Sequence, residues 1–243
     1  MPRIFLPSAD MLTLPLKIRG EKARYLATVL RIGAGDDLVI HDDLGNSYAG
    51  TVTAASSREV TVELAGKIDW NAESPLRITL FQGLLKGEKM DFVVQKATEL
   101  GVDGIVPVIT ERSQVRETRK LPRWTKIAEE AARQSGRNAV PKLQETIHFD
   151  ALPSSASPQG IIYWEEGGDG LGAALERFRG VGDISLFTGP EGGFSEREVA
   201  SAAGKGFLTA TLGKRILRAE TAALAAITIV QFALGDLGIN KGR

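Results

Sequence analysis

The sequence of 243 residues contains no cysteine and only two histidines, His41 and His148. Without cysteine the chain cannot form disulfides or thiolate metal sites, and it cannot use a cysteine nucleophile. A zinc site would have to combine the two histidines with carboxylates, and no spacing in the sequence indicates such a site. We therefore predict a protein without a metal centre.

An excess of charge of either sign is also lacking. Lys and Arg together number 30, as do Asp and Glu, so the formal net charge is zero. This balance excludes a protein that coats nucleic acid through its overall charge, but it leaves room for a local basic patch.

Long hydrophobic runs are missing as well. The longest apolar stretch, residues 222–234, is interrupted by Thr228 and Gln231, and it is too short to cross a bilayer. The first residues contain no apolar segment followed by a small-residue cleavage site, so we expect no signal peptide. These features predict a cytoplasmic protein that does not bind membranes.

Residues 1–70 have the pattern of a small β-rich domain. One short helix is predicted over 21–30, and strands are predicted over 38–41, 47–54 and 59–64, where apolar and polar residues alternate. The sequence Leu44-Gly45-Asn46 predicts a hairpin turn. Short strands joined by tight turns predict a small barrel or a sandwich.

From residue 75 onward, predicted strands and helices alternate, which favours a mainly parallel sheet covered by helices. A linker at 69–74 separates the two regions, so we predict domains over 1–72 and 73–243. A Pro- and Ser-rich segment at 151–160 is predicted to be a surface loop. The predicted strands cover 76–82, 105–109, 161–164, 184–188 and 207–212, and the predicted helices cover 90–100, 124–132, 171–178, 196–203 and 222–234.

The segment 184–198 joins an apolar strand to a helix through a glycine-rich turn. Ser195 and Glu198 have the spacing of a capping box. In open α/β sheets, ligands bind beyond the carboxyl ends of the strands, where glycine lets the backbone approach them. Glu191 in the turn disfavours a phosphate, and the P-loop pattern is absent. Both a ligand-binding loop and a simple capped turn fit this segment.

A second candidate segment, residues 212–221, lies between a predicted strand and the long Ala-rich helix. It contains three cations, followed by Glu220 and Thr221. It could form a ligand site, or Glu220 or Thr221 could simply cap the helix while the cations face solvent.

Two further segments are rich in charge. Residues 86–99 mix both signs, which favours an ion-paired helix face in solvent. Residues 112–142 hold nine Lys or Arg against three Glu, a net charge of +6. Since arginine binds phosphate through a planar fork, this second segment predicts a nucleic-acid face rather than a merely solvated helix.

Taken together, these segments resemble one family. Residues 86–101, 133–141, 189–195 and 212–222 are similar, in order and spacing, to four motifs of the uridine-N3 methyltransferases of 16S ribosomal RNA, the RsmE family of the SPOUT superfamily. Residues 29–36 resemble the N-terminal signature of that family. One departure is Tyr25, which stands where many members have histidine.

The resemblance implies an α/β fold with a C-terminal SPOUT trefoil-knot domain, preceded by a small PUA-like β-barrel. It also implies a homodimer, with S-adenosylmethionine as the methyl donor. The implied partner is 16S ribosomal RNA or the small ribosomal subunit, methylated at N3 of a uridine in the decoding region.

The resemblance also assigns candidate site residues. Arg137 and Arg218 would hold the target phosphate or stabilise the uridine anion, and Glu220 would act as the base unless it only caps the helix. The cofactor-binding candidates are Thr188, Gly189, Glu191, Gly192, Leu212, Gly213, Ile216 and Leu217. The RNA-binding candidates are Arg3, Arg24, Arg31, Arg112, Arg116 and Arg133.

The missing cysteine fits methylation at N3. Methylation at uracil C5 commonly proceeds through a cysteine adduct, whereas N3 only has to lose a weakly acidic proton beside an aligned donor. Two alternatives remain: a SPOUT enzyme acting on another RNA or atom, such as a ribose 2′-oxygen, and a non-catalytic RNA-binding assembly factor.

Overall fold

The structure is a computed structural model that describes residues 1–152 and 160–238. Most of the loop predicted over 151–160 lies outside these residues. The chain divides into two units. The first contains Met1–Glu73 and Ala132–Ala139, and the second contains Ser74–Ala131 and the described residues from Val140 onward.

The first unit is a single five-stranded sheet in the order β1-β3-β4-β5-β2. Only the β1–β3 pair is parallel. All five strands contribute to one apolar core, which favours the barrel over the sandwich. The strands are β1 (Arg3–Phe5), β2 (Leu16–Arg19), β3 (Asp37–His41), β4 (Ser47–Ala55) and β5 (Glu59–Ile68).

The helix predicted over 21–30 is confirmed, but it is not uniform. It begins as α1 (Gly20–Arg24) and continues as a π-helix over Tyr25–Val29. The predicted hairpin turn is also confirmed, because Gly45 has φ = 81° between β3 and β4.

The second unit contains a parallel sheet in the order β11-β13-β10-β12-β6-β7-β8, with β9 also paired to β7. Its strands are β6 (Arg77–Gly83), β7 (Gly104–Ile109), β8 (Lys142–Leu143), β9 (Ile147–His148), β10 (Gly160–Tyr163), β11 (Asp169–Gly170), β12 (Asp183–Thr188) and β13 (Leu208–Thr211). Its helices are α2 (Lys89–Glu99), α3 (Leu121–Ser135, whose last residues belong to the first unit), α4 (Leu171–Glu176), α5 (Glu196–Gly204) and α6 (Ala219–Leu234).

Alternate residues of the parallel strands enter two different cores. Leu186 of β12 joins the core built with α2 and α6, whereas Phe187 joins the core built with α5. In the second core Phe187 stacks on Phe81, with ring centroids 4.4 Å apart, and meets Phe207 edge-on at 4.7 Å. The sheet is therefore buried on both faces, as the continuous apolar strands predict.

Glycine ends two of the predicted helices. Gly101 follows α2 with φ = 83°, and Gly136 follows α3 with φ = 82°. Glycine adopts this left-handed conformation without the steric penalty that a side chain would bring. Within the described ranges, the helices fall short of the length and apolar character that a membrane span requires.

A buried histidine lies at the end of β3 in the first unit. His41 is 0% exposed, and its Nδ1 lies 2.8 Å from Ser47 Oγ. Burial lowers the pKa of His41 to about 4, and the nearby Arg3 acts in the same direction, while Glu73 and Asp42 oppose the shift. The folded first unit therefore prefers the neutral imidazole.

We expect this histidine to make the first unit sensitive to mild acid. The folded pKa lies below the ordinary value of 6.5, so the stabilisation is complete above about pH 6.5 and is lost as the pH falls towards 4. The total loss should be about 3 kcal/mol. Hydrogen exchange of β3 and β4 amides in a urea series should show this loss in the parent protein and a smaller one in His41→Gln. Equal losses in both proteins would contradict the prediction.

Candidate active site

Three loops of the second unit meet at one edge of its sheet. They follow β10, β12 and β13, which are neighbours in the sheet and run parallel. Together they line an open cleft beyond the carboxyl ends of these strands, which is where open α/β sheets bind their ligands. The cleft is lined by Tyr163, Trp164, Glu165, Thr188, Gly189, Pro190, Glu191, Gly193, Phe194, Thr211, Leu212, Gly213, Arg215, Ile216, Leu217, Ala219 and Ala222.

The end of β6 fixes the glycine-rich loop that follows β12. Gln82 is fully buried, accepts a hydrogen bond from Thr188 Oγ1 at 2.8 Å and donates one to the Gly189 carbonyl at 3.2 Å. Gly83 packs so closely on this loop that an added Cβ would lie 2.3 Å from the Pro190 nitrogen. Glycine is therefore required at position 83.

The carboxylate of Glu191 is held by the first residue of α2 and by the turn that precedes this helix. Its Oε1 accepts hydrogen bonds from Lys89 Nζ at 2.9 Å and from the Lys86 backbone N–H at 3.2 Å. Partial burial opposes ionisation, but these hydrogen bonds outweigh it and lower the pKa of Glu191. Its Oε2 is buried and has no hydrogen-bond partner among the described residues.

The contacts of Lys86 and Lys89 with Glu191 give the start of the charged segment at 86–99 a role that the sequence does not indicate. The ion pair between Lys96 and Glu99, at 2.8 Å, fits the predicted helix face. The start of the segment, however, supports the cleft through Glu191 rather than facing solvent alone.

The capping box at the start of α5 is confirmed. Ser195 Oγ accepts from the Glu198 backbone N–H, and Glu198 Oε2 accepts from the Ser195 backbone N–H at 2.9 Å. The other oxygen of Glu198 accepts from the Glu111 backbone N–H at 2.8 Å. The cap therefore also ties the glycine-rich loop to the segment that follows β7.

Helix α6 does not begin with either of the predicted capping residues, Glu220 and Thr221. The helix begins at Ala219 with Arg218 at the N-cap, and no side chain of the described residues caps it. Glu220 lies in the first turn, and its buried Oε2 has no hydrogen-bond partner in the described chain. The alternative in which Glu220 or Thr221 caps the helix is therefore wrong.

The structure brings most of the cofactor-binding candidates together. All of them except Gly192 line the cleft. Gly192 instead packs on Arg112, whose Nη1 donates to the Gly192 carbonyl at 3.3 Å. Sequence reasoning missed Tyr163, Trp164 and Glu165, which follow β10 and form part of the cleft lining.

Arg218 and Glu220 stand at the end of α6 that reaches the cleft, since Ala219 and Ala222 line it. Arg137 belongs to the first unit and is only 3% exposed. Its Nε donates to Glu73 Oε2 at 2.9 Å, and the backbone N–H groups of Asn138 and Ala139 donate to the other oxygen of Glu73. The structure thus gives Arg137 a buried ion pair, and its catalytic role stays a prediction.

The RNA-binding candidates have different surroundings. Arg3 lies 4.7 Å from the Trp70 ring centroid and Arg133 lies 4.1 Å from that of Tyr25. Arg24 and Arg31 are exposed, and Arg31 has φ = 55°, which is rare for a residue other than glycine. Arg116 donates to two backbone carbonyls, those of Thr110 and Glu111.

Part of the basic segment at 112–142 is neutralised. Arg123 donates to Asp91 at 2.9 Å, and Arg137 is paired with Glu73. The net charge of the segment therefore overstates how basic its surface is.

In the part of the chain that the structure describes, no three His, Asp or Glu side chains cluster in a way that could hold a metal ion.

The chain is similar to known proteins over both of its units. The chain matches the RNA methyltransferase domain family over residues 72–231 and the RNA methyltransferase PUA domain family over residues 18–65. It is 32% identical to the ribosomal RNA small subunit methyltransferase E of Buchnera aphidicola subsp. Acyrthosiphon pisum, over 97% of this chain and 95% of that protein.

Two solved structures are similar over almost the whole chain. One is a ribosomal RNA small subunit methyltransferase E from Neisseria gonorrhoeae bound to S-adenosyl methionine, with a TM-score of 0.88, 37% identity and coverage of 98% of this chain and 99% of that one. The other is a Legionella pneumophila methyltransferase in complex with SAM, with a TM-score of 0.87, 34% identity and coverage of 97% and 98%.

The fold is thus that of an RNA methyltransferase domain preceded by a PUA domain. Given the extent of these matches, the chain belongs to the ribosomal RNA small subunit methyltransferase E family.

The close packing of Gly83 on Pro190 can be tested by adding a side chain at position 83. Gly83→Ala should destabilise the second unit by about 1–3 kcal/mol, because the new methyl group meets backbone atoms that no rotamer change can move. Thermal unfolding checks this, with Gly204→Ala as control, since a Cβ there meets no atom within 4 Å. If both variants melt like the parent protein, Pro190 does not pack on Gly83 as described.

Proposed function

We propose that this protein transfers a methyl group from S-adenosylmethionine (SAM) to N3 of a uridine in the decoding region of 16S ribosomal RNA. The observation that carries the proposal is the cleft, where loops following three neighbouring parallel strands converge. The relatives support it, since they are named for small-subunit ribosomal RNA and one has been solved with SAM.

The cleft suits a ligand such as SAM. Ile216 and Leu217 offer apolar side chains for the adenine face, and the backbone of the loop at 212–217 offers donors and acceptors for its edge. The buried, unpartnered Oε2 of Glu191 is an acceptor that a hydroxyl or amino group of the ligand would satisfy. When bound, SAM supplies a methyl group on a positively charged sulfur.

Two residues at the start of α6 are proposed to act on the uridine: Arg218 at the N-cap and Glu220 in the first turn. Glu220 would accept the N3 proton, because its Oε2 is buried and makes no hydrogen bond within the described chain. Arg218 is exposed, forms no ion pair among the described residues, and would stabilise the uridine anion. The N-terminus of α6 adds a favourable field for negative charge at this position.

We propose that residues 1–72 bind RNA and that residues 73–243 carry the methyltransferase activity. Arg24 and Arg31 would contact phosphates from the first region, and Arg112 and Arg116 from the second. Such contacts position RNA without reading its sequence. The trefoil knot implied by the resemblance remains a prediction, as does the cytoplasmic location, where ribosomal subunits would be available.

An exposed apolar surface supports the proposed homodimer. Helices α2 and α6 pack against each other, and their outer faces leave Phe92 43%, Ile229 39% and Phe232 66% exposed. Ile229 and Phe232 are three residues apart on α6 and therefore neighbours on its surface, and adjacent exposed apolar side chains are typical of protein interfaces. We propose that a second copy of this chain covers them.

The activity is tested with SAM labelled in its methyl group and small ribosomal subunits that lack the modification. After digestion, label in 3-methyluridine supports the proposal. Label in another nucleoside indicates a methyltransferase of different specificity. Absence of both label and SAM binding would instead favour the non-catalytic assembly factor.

Two arginine variants should separate catalysis from structure. Arg218→Ala should lower the methylation rate about 100-fold and leave the melting temperature unchanged, because Arg218 is exposed and forms no ion pair with the described residues. Arg137→Ala should lose about 3–5 kcal/mol of stability, because it leaves the Glu73 carboxylate without its partner. Equal losses of activity and stability in Arg218→Ala would assign that residue to structure.

The dimer can be tested by placing a charge on the apolar surface. Phe232→Glu should yield a monomer in sedimentation equilibrium, because the carboxylate would have to be desolvated in the interface. The control is Ala200→Glu, on the exposed side of α5, which should remain a dimer in the same measurement. A parent protein that is already monomeric would refute the proposed dimer.

A further inference from the structure

One wall of the cleft has no role in the function proposed above. It is formed by Tyr163, Trp164 and Glu165, at the carboxyl end of β10. Since β10 lies between β12 and β13 in the sheet, this wall stands between the two loops with cofactor motifs. A bound ligand would therefore contact it.

Two hydrogen-bond donors in this wall are unsatisfied. Tyr163 is only 6% exposed, and its hydroxyl has no partner among the described residues. The indole Nε1 of Trp164 is buried and unpartnered in the same way. A buried polar group without a hydrogen bond costs about 1–3 kcal/mol. Both residues line the cleft, so a ligand bound there is a source of partners for these two groups.

The third residue of the wall brings a negative charge. Glu165 is exposed and makes no ion pair in the described chain. Its carboxylate occupies space that a side chain at position 193 would fill, since a Cβ on Gly193 would lie 2.4 Å from Glu165 Oε1. Glycine at position 193 therefore lets this carboxylate reach the glycine-rich loop.

Two acidic residues line the cleft, Glu165 and Glu191, and within the described ranges only Glu191 forms an ion pair. Glu191 is already paired with Lys89. Arg215 also lines the cleft but forms no ion pair with Glu165 in the described chain. The carboxylate of Glu165 is thus available to a cationic ligand.

We infer that Glu165 selects the positively charged methyl donor over its neutral product, while Tyr163 and Trp164 donate hydrogen bonds to polar groups of the same ligand. This inference rests on the proposed use of SAM. Loss of the methyl group converts the sulfonium into a neutral thioether, so S-adenosylhomocysteine carries one positive charge less than SAM. A carboxylate in the wall attracts the donor more strongly than the product, which favours product release after each turnover.

The test measures the affinities of SAM and S-adenosylhomocysteine by calorimetry, without any RNA. Glu165→Gln should weaken SAM binding about fivefold to tenfold and leave the affinity for S-adenosylhomocysteine within about twofold of the parent protein. The control is Glu166→Gln, an exposed neighbour that does not line the cleft, and it should change neither affinity.

An unchanged ratio of the two affinities in Glu165→Gln would overturn the selection by Glu165, even if both ligands bound more weakly. Failure of the parent protein to bind SAM would overturn the proposed function instead, so the two outcomes are distinguishable.

Tyr163→Phe tests the hydrogen-bond donor. The ligand-free variant should melt at the parent temperature or above it, because the hydroxyl makes no hydrogen bond to the described residues that could be lost. Its affinity for SAM should fall about fivefold. Unchanged affinity for SAM would overturn the role of Tyr163, and a lower melting temperature would show that the hydroxyl already has a partner in the free protein.

Discussion

The parallel pairing of β6 with β12 is the constraint on which the candidate active site depends. Six consecutive residue pairs, from Arg77 with Asp183 to Gln82 with Thr188, hold the two strands in register. Because both strands end together, Gln82 can bridge to Thr188 and Gly189, and Gly83 can pack on Pro190. A shift of one residue would reverse the faces of β12 and remove Phe187 from its core. The cleft is therefore a consequence of strand register as much as of its glycine-rich loops.

Local features of the fold could be predicted because they depend on neighbouring residues. The helix ends at Gly101 and Gly136 and the capping box of Ser195 follow from short-range rules. The start of α6 was misjudged, since nothing in the sequence shows that Arg218 ends the loop without a side-chain cap. The order of the strands could not be derived either, because it results from pairing between distant segments.

The same distinction applies to the site. Most candidates at 188–191 and 212–217 line the cleft because motif and local geometry coincide there. Tyr163, Trp164 and Glu165 were missed because their segment contributes only through the position of β10 between β12 and β13. The ion pair of Arg137 with Glu73 joins residues far apart in sequence, so a count of cations alone predicts a more basic surface than the structure has.

The composition of the first unit has an evolutionary consequence. Besides the N-terminal residues it includes Ala132–Ala139, where backbone N–H groups and Arg137 surround the carboxylate of Glu73. A unit built from two separate stretches of chain cannot be exchanged between genes by a single crossover at the linker. A chimera that took residues 1–73 from a relative would carry that relative's residue at position 73, whereas the groups that surround it at 137–139 would still come from this chain. Exchange of this domain among related proteins therefore requires the eight-residue segment to change with it, and the two stretches should vary together.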